Sequence, residues 1–310
     1  MMRSPEEQQI IDRYVMRPKW TIMSKRADFA EIGRKFGIDP VVARGICGDD
    51  NINMYLNGGA DLLHDPGLMK DLPEGCRIVM DKLENGSRIR IISDYDVDGV
   101  TSNYILLLGL RKVWAQIHGA RPEECEIVDY DIPHRIHDGY GIKNRLIDAA
   151  KADGVDTIIT CDNGIAAFEQ IKYAKTIGMT VIVTDHHQVP YQENGDGTKT
   201  YTLPPADAVI DNQRVDCQYP FKGLCGAGVA CKFIQYLYRL CGIDEREIQE
   251  FFEVLGLATN CDMMDLVDEN RIFVKYALES LKDSRNPGLN ALMRLSGKNE
   301  KKITTYDLGF

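Results

Sequence analysis

The sequence has no apolar run that approaches a membrane span. Its longest, Tyr104 to Leu110, falls far short of the roughly 20 residues a hydrocarbon core requires. The opening stretch, Met1 to Ile10, is polar and has no signal-peptide core. There is no excess of positive charge: 37 Lys and Arg stand against 47 Asp and Glu, a formal net charge of −10. Phosphate binding is driven by Lys and Arg, so a general nucleic-acid coat is excluded. Local binding of nucleic acid, or acids used to hold metal ions, is not. The nine cysteines contain no C-x-x-C pair, and nine is an odd number. Free thiols in a reduced, cytoplasmic compartment are therefore expected. Internal repeats and low-complexity tracts are missing. With 44% hydrophobic and 27% charged residues, the composition is that of a globular protein, not of a disordered chain or a coiled-coil rod. A length of 310 residues suggests about two domains.

What is present begins with helices. Residues 1–76 read as a helical N-terminal extension, with a helix over Ala27 to Phe36 and another over Pro40 to Ile46. The pattern changes near residue 87. Short β-branched runs at 88–92, 126–128, 157–160, 180–183 and 208–210 alternate with helix-like stretches at 100–117, 144–152 and 166–177. Strands alternating with helices predict an α/β fold with a doubly wound, mainly parallel sheet flanked by helices. The continuous apolar character of the runs fits strands buried on both faces. The sheet core is expected over about 87–212 and a helical part over about 226–310, together forming one domain, 77–310. Between Gln188 and Pro205 lies a polar excursion around Asn194-Gly195-Asp196-Gly197, a surface hairpin or loop.

The acids cluster where strands end. Asp94, Asp96 and Asp98 follow the first run, Asp162 follows the third, and Asp185 with His186 and His187 follows the fourth. Ligands of open α/β sheets bind beyond the carboxyl ends of the strands. A single Asp after a strand is as readily a helix cap or turn residue. Several converging carboxylates are different, since two of them about 4 Å apart repel by ~4 kcal/mol at an effective dielectric of 20. They require cations. Oxygen donors with an imidazole suit Mn²⁺ or Mg²⁺. Two such ions about 3.5–4 Å apart activate water and clamp an in-line displacement at phosphorus. Asp162, alone on its strand end, is the candidate bridge, and Asp96 and Asp98 can serve one ion each.

Asp94-Tyr95-Asp96-Val97-Asp98-Gly99 together with Asp185-His186-His187 resembles the DHH phosphoesterase superfamily, in its RecJ-type single-strand-specific exonuclease branch. Leu63-His64-Asp65-Pro66, Pro133-His134-Arg135 with Gly139-Tyr140-Gly141, Gly223 to Ala230, Gly256 to Asp262, and Tyr306 to Phe310 continue the resemblance in order. It implies Asp94, Asp96, Asp98, Asp162, His186 and Asp262 as ligands of two Mn²⁺ or Mg²⁺ ions. Asp162, Asp185 and His187 would form the catalytic group, with His187 facing the scissile phosphate. It further implies hydrolysis of single-stranded DNA from the 5′ end. Arg135 in its loop, and Gly226 and Gly228 at a helix start, are candidate substrate-binding residues. Departures are Ile92 where some members have a histidine, Asp211-Asn212 where Asn-Pro is usual, and the long 188–205 excursion. RecJ-like chains continue into a DHH-associated clamp domain, which this sequence lacks, so weak processivity is expected. Two rival readings share the acids: a DHH phosphodiesterase acting on oligoribonucleotides or small nucleotide phosphoesters, and a non-catalytic scaffold that binds DNA ends. Protein partners are not indicated.

Overall fold

A computed structural model of the chain describes residues 27–46, 52–297 and 303–309. The polar N-terminal stretch, Phe310 and the Lys298, Lys301 and Lys302 run lie outside the described residues. Contacts divide the chain into two compact units, Met1–Asn53 and Met54–Phe310. In the first, α1 (Phe29–Phe36) starts where the Asp28 carboxylate accepts the Glu31 amide at 2.9 Å, and it ends at Gly37 in the left-handed region. A second helix, α2 (Pro40–Ile46), follows; the short α3 (Ile52–Asn57) runs across the division at Asn53.

The second unit carries the sheet. The helix α4 (Leu72–Glu84) precedes β1 (Ile89–Ser93), α5 (Val97–His118), β2 (Val128–Asp131), α6 (Asn144–Ala152), β3 (Thr157–Cys161), α7 (Phe168–Thr176) and β4 (Thr180–Asp185). A small antiparallel hairpin, β5 (Tyr191–Glu193) and β6 (Lys199–Tyr201), interrupts the path to β7 (Ala208–Asp211). The rest is helical: α8 (Gly226–Cys241), α9 (Phe252–Cys261), α10 (Asp268–Ser280), α11 (Pro287–Leu295) and α12 (Thr305–Gly309). The five-stranded sheet has the order β2-β1-β3-β4-β7, and every pairing in it is parallel. This is a doubly wound order whose direction reverses between β1 and β3, the place where such sheets open a crevice for ligands.

Alternation along the strands builds two cores. Ile91, Ile159, Ile182 and Ile210 face α4, α5 and α8 on one side. Their neighbours Ile92, Ile158, Val181, Val183 and Val209 face α6 and α7 on the other. A period of two puts successive side chains on opposite faces, so both must be apolar when both faces are covered. The edge strand β2 sits two residues later than its predicted start. Its Asp129 leaves the apolar pattern because it accepts from Arg90 Nε of β1 at 2.7 Å.

The expected domain boundary at 76/77 falls inside α4, a continuous helix whose Cys76 and Val79 are both fully buried. Residues 54–76 pack with the sheet unit because that helix face covers β7 and α8. Another brace joins the same region: Lys232 of α8 and Glu269 of α10, both fully buried, pair at 2.5 Å. Glu269 also accepts from the Tyr219 hydroxyl at 2.5 Å and the His64 amide at 3.0 Å. Among the described residues no helix is long and apolar enough to cross a membrane, and the described cysteines are free thiols.

Candidate metal centre

The β1–α5 turn holds three acids in three different settings. Asp94, just after β1, is buried, and its Oδ1 has no hydrogen-bond partner among the described residues. Asp96 is the N-cap of α5, and its Oδ1 accepts the Gly99 amide at 2.9 Å. Asp98, in the first helical turn, is buried and reaches across to another helix. Its Oδ2 accepts the Gly226 amide at 2.6 Å and its Oδ1 the Ala227 amide at 2.9 Å. The start of α8 is thus an anion site, as open amides and the helix dipole dictate. The anion it holds is the protein's own.

That changes the reading of the two glycines. Gly226 was expected to offer its amide to a substrate anion, but that amide is committed to Asp98. A Cβ there would lie 2.8 Å from Asp162 Cβ and 3.0 Å from both Asp162 Oδ1 and Asp98 Oδ2. Only a glycine lets α8 come this close. Gly228 is buried, and a Cβ there would meet Leu224 at 3.1 Å. It is a packing position.

Asp162 leaves β3 with φ at 57°, in the left-handed region that Asp tolerates better than most residues. Its amide donates to the Thr184 carbonyl of β4, and the turn aims its carboxylate at the middle of the cluster. Asp162 Oδ1 lies 3.1 Å from His186 Nε2. Yet neither atom makes a hydrogen bond among the described residues, so the two are close without being aligned on each other. His186 Nε2 also stands 3.6 Å from Asp98 Oδ2 and 3.7 Å from Asp262 Oδ2. Asp262 is delivered by the C-terminal end of α9.

The donor atoms fall into sets whose members lie within 4.8 Å of one another: Asp94, Asp96 and Asp162; Asp98, His186 and Asp262; and Asp162, His186 and His187. Asp162 is shared by the first and third. Six expected ligands therefore converge from β1, α5, β3, β4 and α9. Asp185 and His187 do something else. Asp185 is buried at the end of β4 and accepts the Ile165 amide at 2.9 Å and the His186 amide at 2.8 Å. Its Oδ1 is also 2.7 Å from His187 Nδ1, which fixes the imidazole.

Crowding is written in the proton affinities. Burial, then the charges of Asp98, Asp96 and Asp185, push the Asp162 carboxyl up to about 11. Burial and Asp98 push Asp262 to about 6. Burial also raises Asp94 and Asp98. Burial works against Asp185 too, but the His187 hydrogen bond and charge hold it below the usual range. The same bond raises His187. Carboxylates this close cannot all be ionised without cations. The unpartnered Asp94 Oδ1, Asp162 Oδ1 and His186 Nε2 are oxygen and imidazole donors of the kind Mn²⁺ and Mg²⁺ accept.

Other residues surround the cluster. Tyr140, from the loop before α6, donates its hydroxyl to the Asp162 carbonyl at 3.2 Å. Asp211 at the end of β7 stands in register with Asp185. Burial and then Asp185 raise it to about 7, and its Oδ2 has no partner among the described residues. Asp211 was noted in the sequence only as a departure. Its signal was the one shared by the other acids, a carboxylate directly after a strand. Arg135 is exposed, with its guanidinium 5.5 Å from the Tyr95 ring centroid. It lies over the acidic turn and outside the donor sets. His134 turns back on its own loop, accepting the Ile136 amide at 3.2 Å. A cavity of about 280 Å³ adjoins His187 and Asp185, with Tyr140, Ile142, Lys143 and Gln170 in its wall.

Residues 88–259 match the DHH family, N-terminal domain. The single-stranded-DNA-specific exonuclease RecJ of Salmonella typhimurium is 33% identical over 252 residues, 78% of this chain and 40% of that protein. RecJ of Bacillus subtilis is 32% identical over 298 residues, 94% of this chain and 34% of that protein. The crystal structure of exonuclease RecJ bound to manganese superposes with a TM-score of 0.63 at 29% identity, over 80% of this chain and 56% of that one. RecJ of Thermus thermophilus in complex with Mn²⁺ gives 0.70 at 25% identity, over 93% and 38%. The chain thus spans two fifths or less of the length of these curated relatives.

Proposed function

The chain belongs to the DHH family, and from that premise we propose that it hydrolyses phosphodiester bonds of single-stranded DNA with two divalent cations, Mn²⁺ or Mg²⁺, removing nucleotides from a 5′ end. The observation that carries this reading is the shared position of Asp162: buried, unpartnered at Oδ1 and common to two donor sets. Asp94, Asp96 and Asp162 would hold one ion. Asp98, Asp162, His186 and Asp262 would hold the other. When bound, such a pair supplies an activated water and neutralises charge on the attacking and leaving oxygens.

The side chains do the remaining work. Asp185 anchors His187 through Nδ1 at 2.7 Å, and Nε2, 3.4 Å from the Tyr140 hydroxyl, would hold or pass a proton near the scissile phosphate. The amides of Gly226 and Ala227 fix Asp98, and the Tyr140 hydroxyl fixes the backbone of Asp162. Arg135, exposed above the acidic turn, is placed to meet a phosphate of the strand. All of these belong to the Met54–Phe310 unit.

Asp162→Ala tests the reading. Manganese uptake and hydrolysis should fall together, by ~100-fold or more, since even outer partners of metal ligands act on the scale of 10–100-fold. Near-parental hydrolysis by that variant would refute the shared-ligand mechanism. Digestion of 5′- and 3′-labelled strands gives the direction of attack, and comparison with dinucleotides separates a strand exonuclease from a small-phosphoester hydrolase.

A further inference from the structure

We propose that the β5–β6 hairpin is a stacking arm for single-stranded nucleic acid, gripping the strand by its bases a short distance from the metal centre. The inference rests on the function proposed above and adds to it a contact surface outside the donor cluster.

The hairpin grows from the rim of the site. Tyr191 follows His187 by four residues, which limits their separation to about 14 Å even in a fully extended chain. The base of the arm is closed by the Thr202 amide donating to the Pro190 carbonyl at 3.0 Å. Its tip is a tight turn: the Asn194 amide donates to the Thr198 carbonyl at 2.8 Å, and Asp196 Oδ1 accepts the Thr198 amide at 2.9 Å. Every residue from Gln192 to Leu203 is exposed. A two-stranded ribbon with no packed face is marginal in water, so what its side chains do to one another matters.

They segregate. Tyr191 pairs with Tyr201 across the ladder, and Glu193 with Lys199. Alternation places these four on one face and Gln192 and Thr200 on the other. The two phenol rings lie 5.6 Å apart at 52°, and Lys199 Nζ sits 3.9 Å from the Tyr191 centroid. Tyr201 keeps 37% of its surface exposed. Two tyrosines and a lysine on a solvated ribbon contribute nothing to either core.

The charge of the molecule explains why such an arm would be useful. The rim is lined with carboxylates and the chain carries a net charge of −10, so backbone phosphates are poorly attracted to it. Stacking reads the face of a base and does not depend on phosphate charge. Lys199 adds one cation beside the rings.

The test uses the whole chain and a fluorescein-labelled single strand of roughly 12 nucleotides, within the span of known single-strand sites, without Mn²⁺ or Mg²⁺ so that nothing is cut. Anisotropy should show Tyr191→Ala/Tyr201→Ala binding ~10-fold or more weaker, with an unchanged salt slope, as expected for lost stacking. Tyr191→Phe/Tyr201→Phe should bind like the parent, since the rings remain. Lys199→Ala should reduce the salt slope by about one. Melting curves check that each variant is folded. Parental affinity in the double alanine variant overturns the arm, and so does an equal loss in the phenylalanine pair, which would point to the hydroxyls. Parental strand binding with loss of a bound polypeptide would make the exposed ladder a protein-docking edge instead, which also overturns it. Mn²⁺-dependent cleavage by the unmodified chain is read separately: binding through the tyrosines with no cleavage sinks the hydrolase reading, whereas cleavage indifferent to the tyrosines sinks only the arm.

Discussion

Gly226→Ala is the sharpest single perturbation of the metal centre. By helix propensity alone it should stabilise, because Ala is better than Gly in a helix by about 1 kcal/mol. The site demands the opposite. The new methyl would stand 2.8 Å from Asp162 Cβ and 3.0 Å from Asp162 Oδ1 and Asp98 Oδ2, against 3.4 Å for ordinary contact. Roughly half an ångström of movement is needed, more than the ~0.2 Å tolerance of metal–ligand distances. If α8 retreats instead, the bonds of the Gly226 and Ala227 amides to Asp98, at 2.6 and 2.9 Å, lengthen. Overpacking of this kind costs about 1–3 kcal/mol, and disturbed ligand support lowers metal affinity ~10–100-fold. Urea unfolding of the metal-free chain and calorimetric Mn²⁺ titration measure the two effects. A variant more stable than the parent with the same Mn²⁺ affinity would refute the placement of α8 against the carboxylates.

Two further predictions concern stability. Asp211 is raised to about 7 and Asp262 to about 6 by burial and nearby carboxylates, so the folded state keeps protons that the unfolded chain releases near 3.8. Stability from these groups is present at low pH and declines between about pH 4 and 7. The raised His187 acts in the same sense, while the lowered Asp185 matters only below that window. The metal-free chain should therefore melt lower at neutral pH than near pH 5, and Mn²⁺ at 100 times its Kd should restore about 2.7 kcal/mol; a pH-independent melt without metal would contradict the crowding. Lys232→Met leaves the fully buried Glu269 without its cation and should cost about 3–5 kcal/mol in urea unfolding, a loss that replacing both partners by apolar residues would largely avoid.

Much of the architecture was legible because its signals are local. The β1, β3 and β4 runs stand out as continuous apolar stretches since both faces of the sheet are covered. α6 begins and ends where its flanking residues say, and α2 begins at Pro40 as its flanking turn says. β2 was displaced because an edge strand needs only one apolar side, and its Asp129 serves Arg90. The acids of the sheet were found by position, at or just beyond the end of a strand, whereas Asp262, at the end of α9, was reached only through the family resemblance. Asp211 obeyed the same rule and was passed over because it follows the last strand, beyond the long hairpin.

The sequence by itself determined the alternation of strands and helices and the kinds of side chain at the strand ends, because propensity and periodicity act over a few residues. Tertiary structure alone decided what each of those side chains faces. Gly226 looked like an open amide until Asp98, 128 residues away, filled it. Asp185 ends its strand one position short of where Asp162 follows its own, yet the Ile165 amide and His187 claim its oxygens. A hydrogen-bond partner is chosen by whatever packing brings within about 3 Å, and nothing in the local chain encodes that choice.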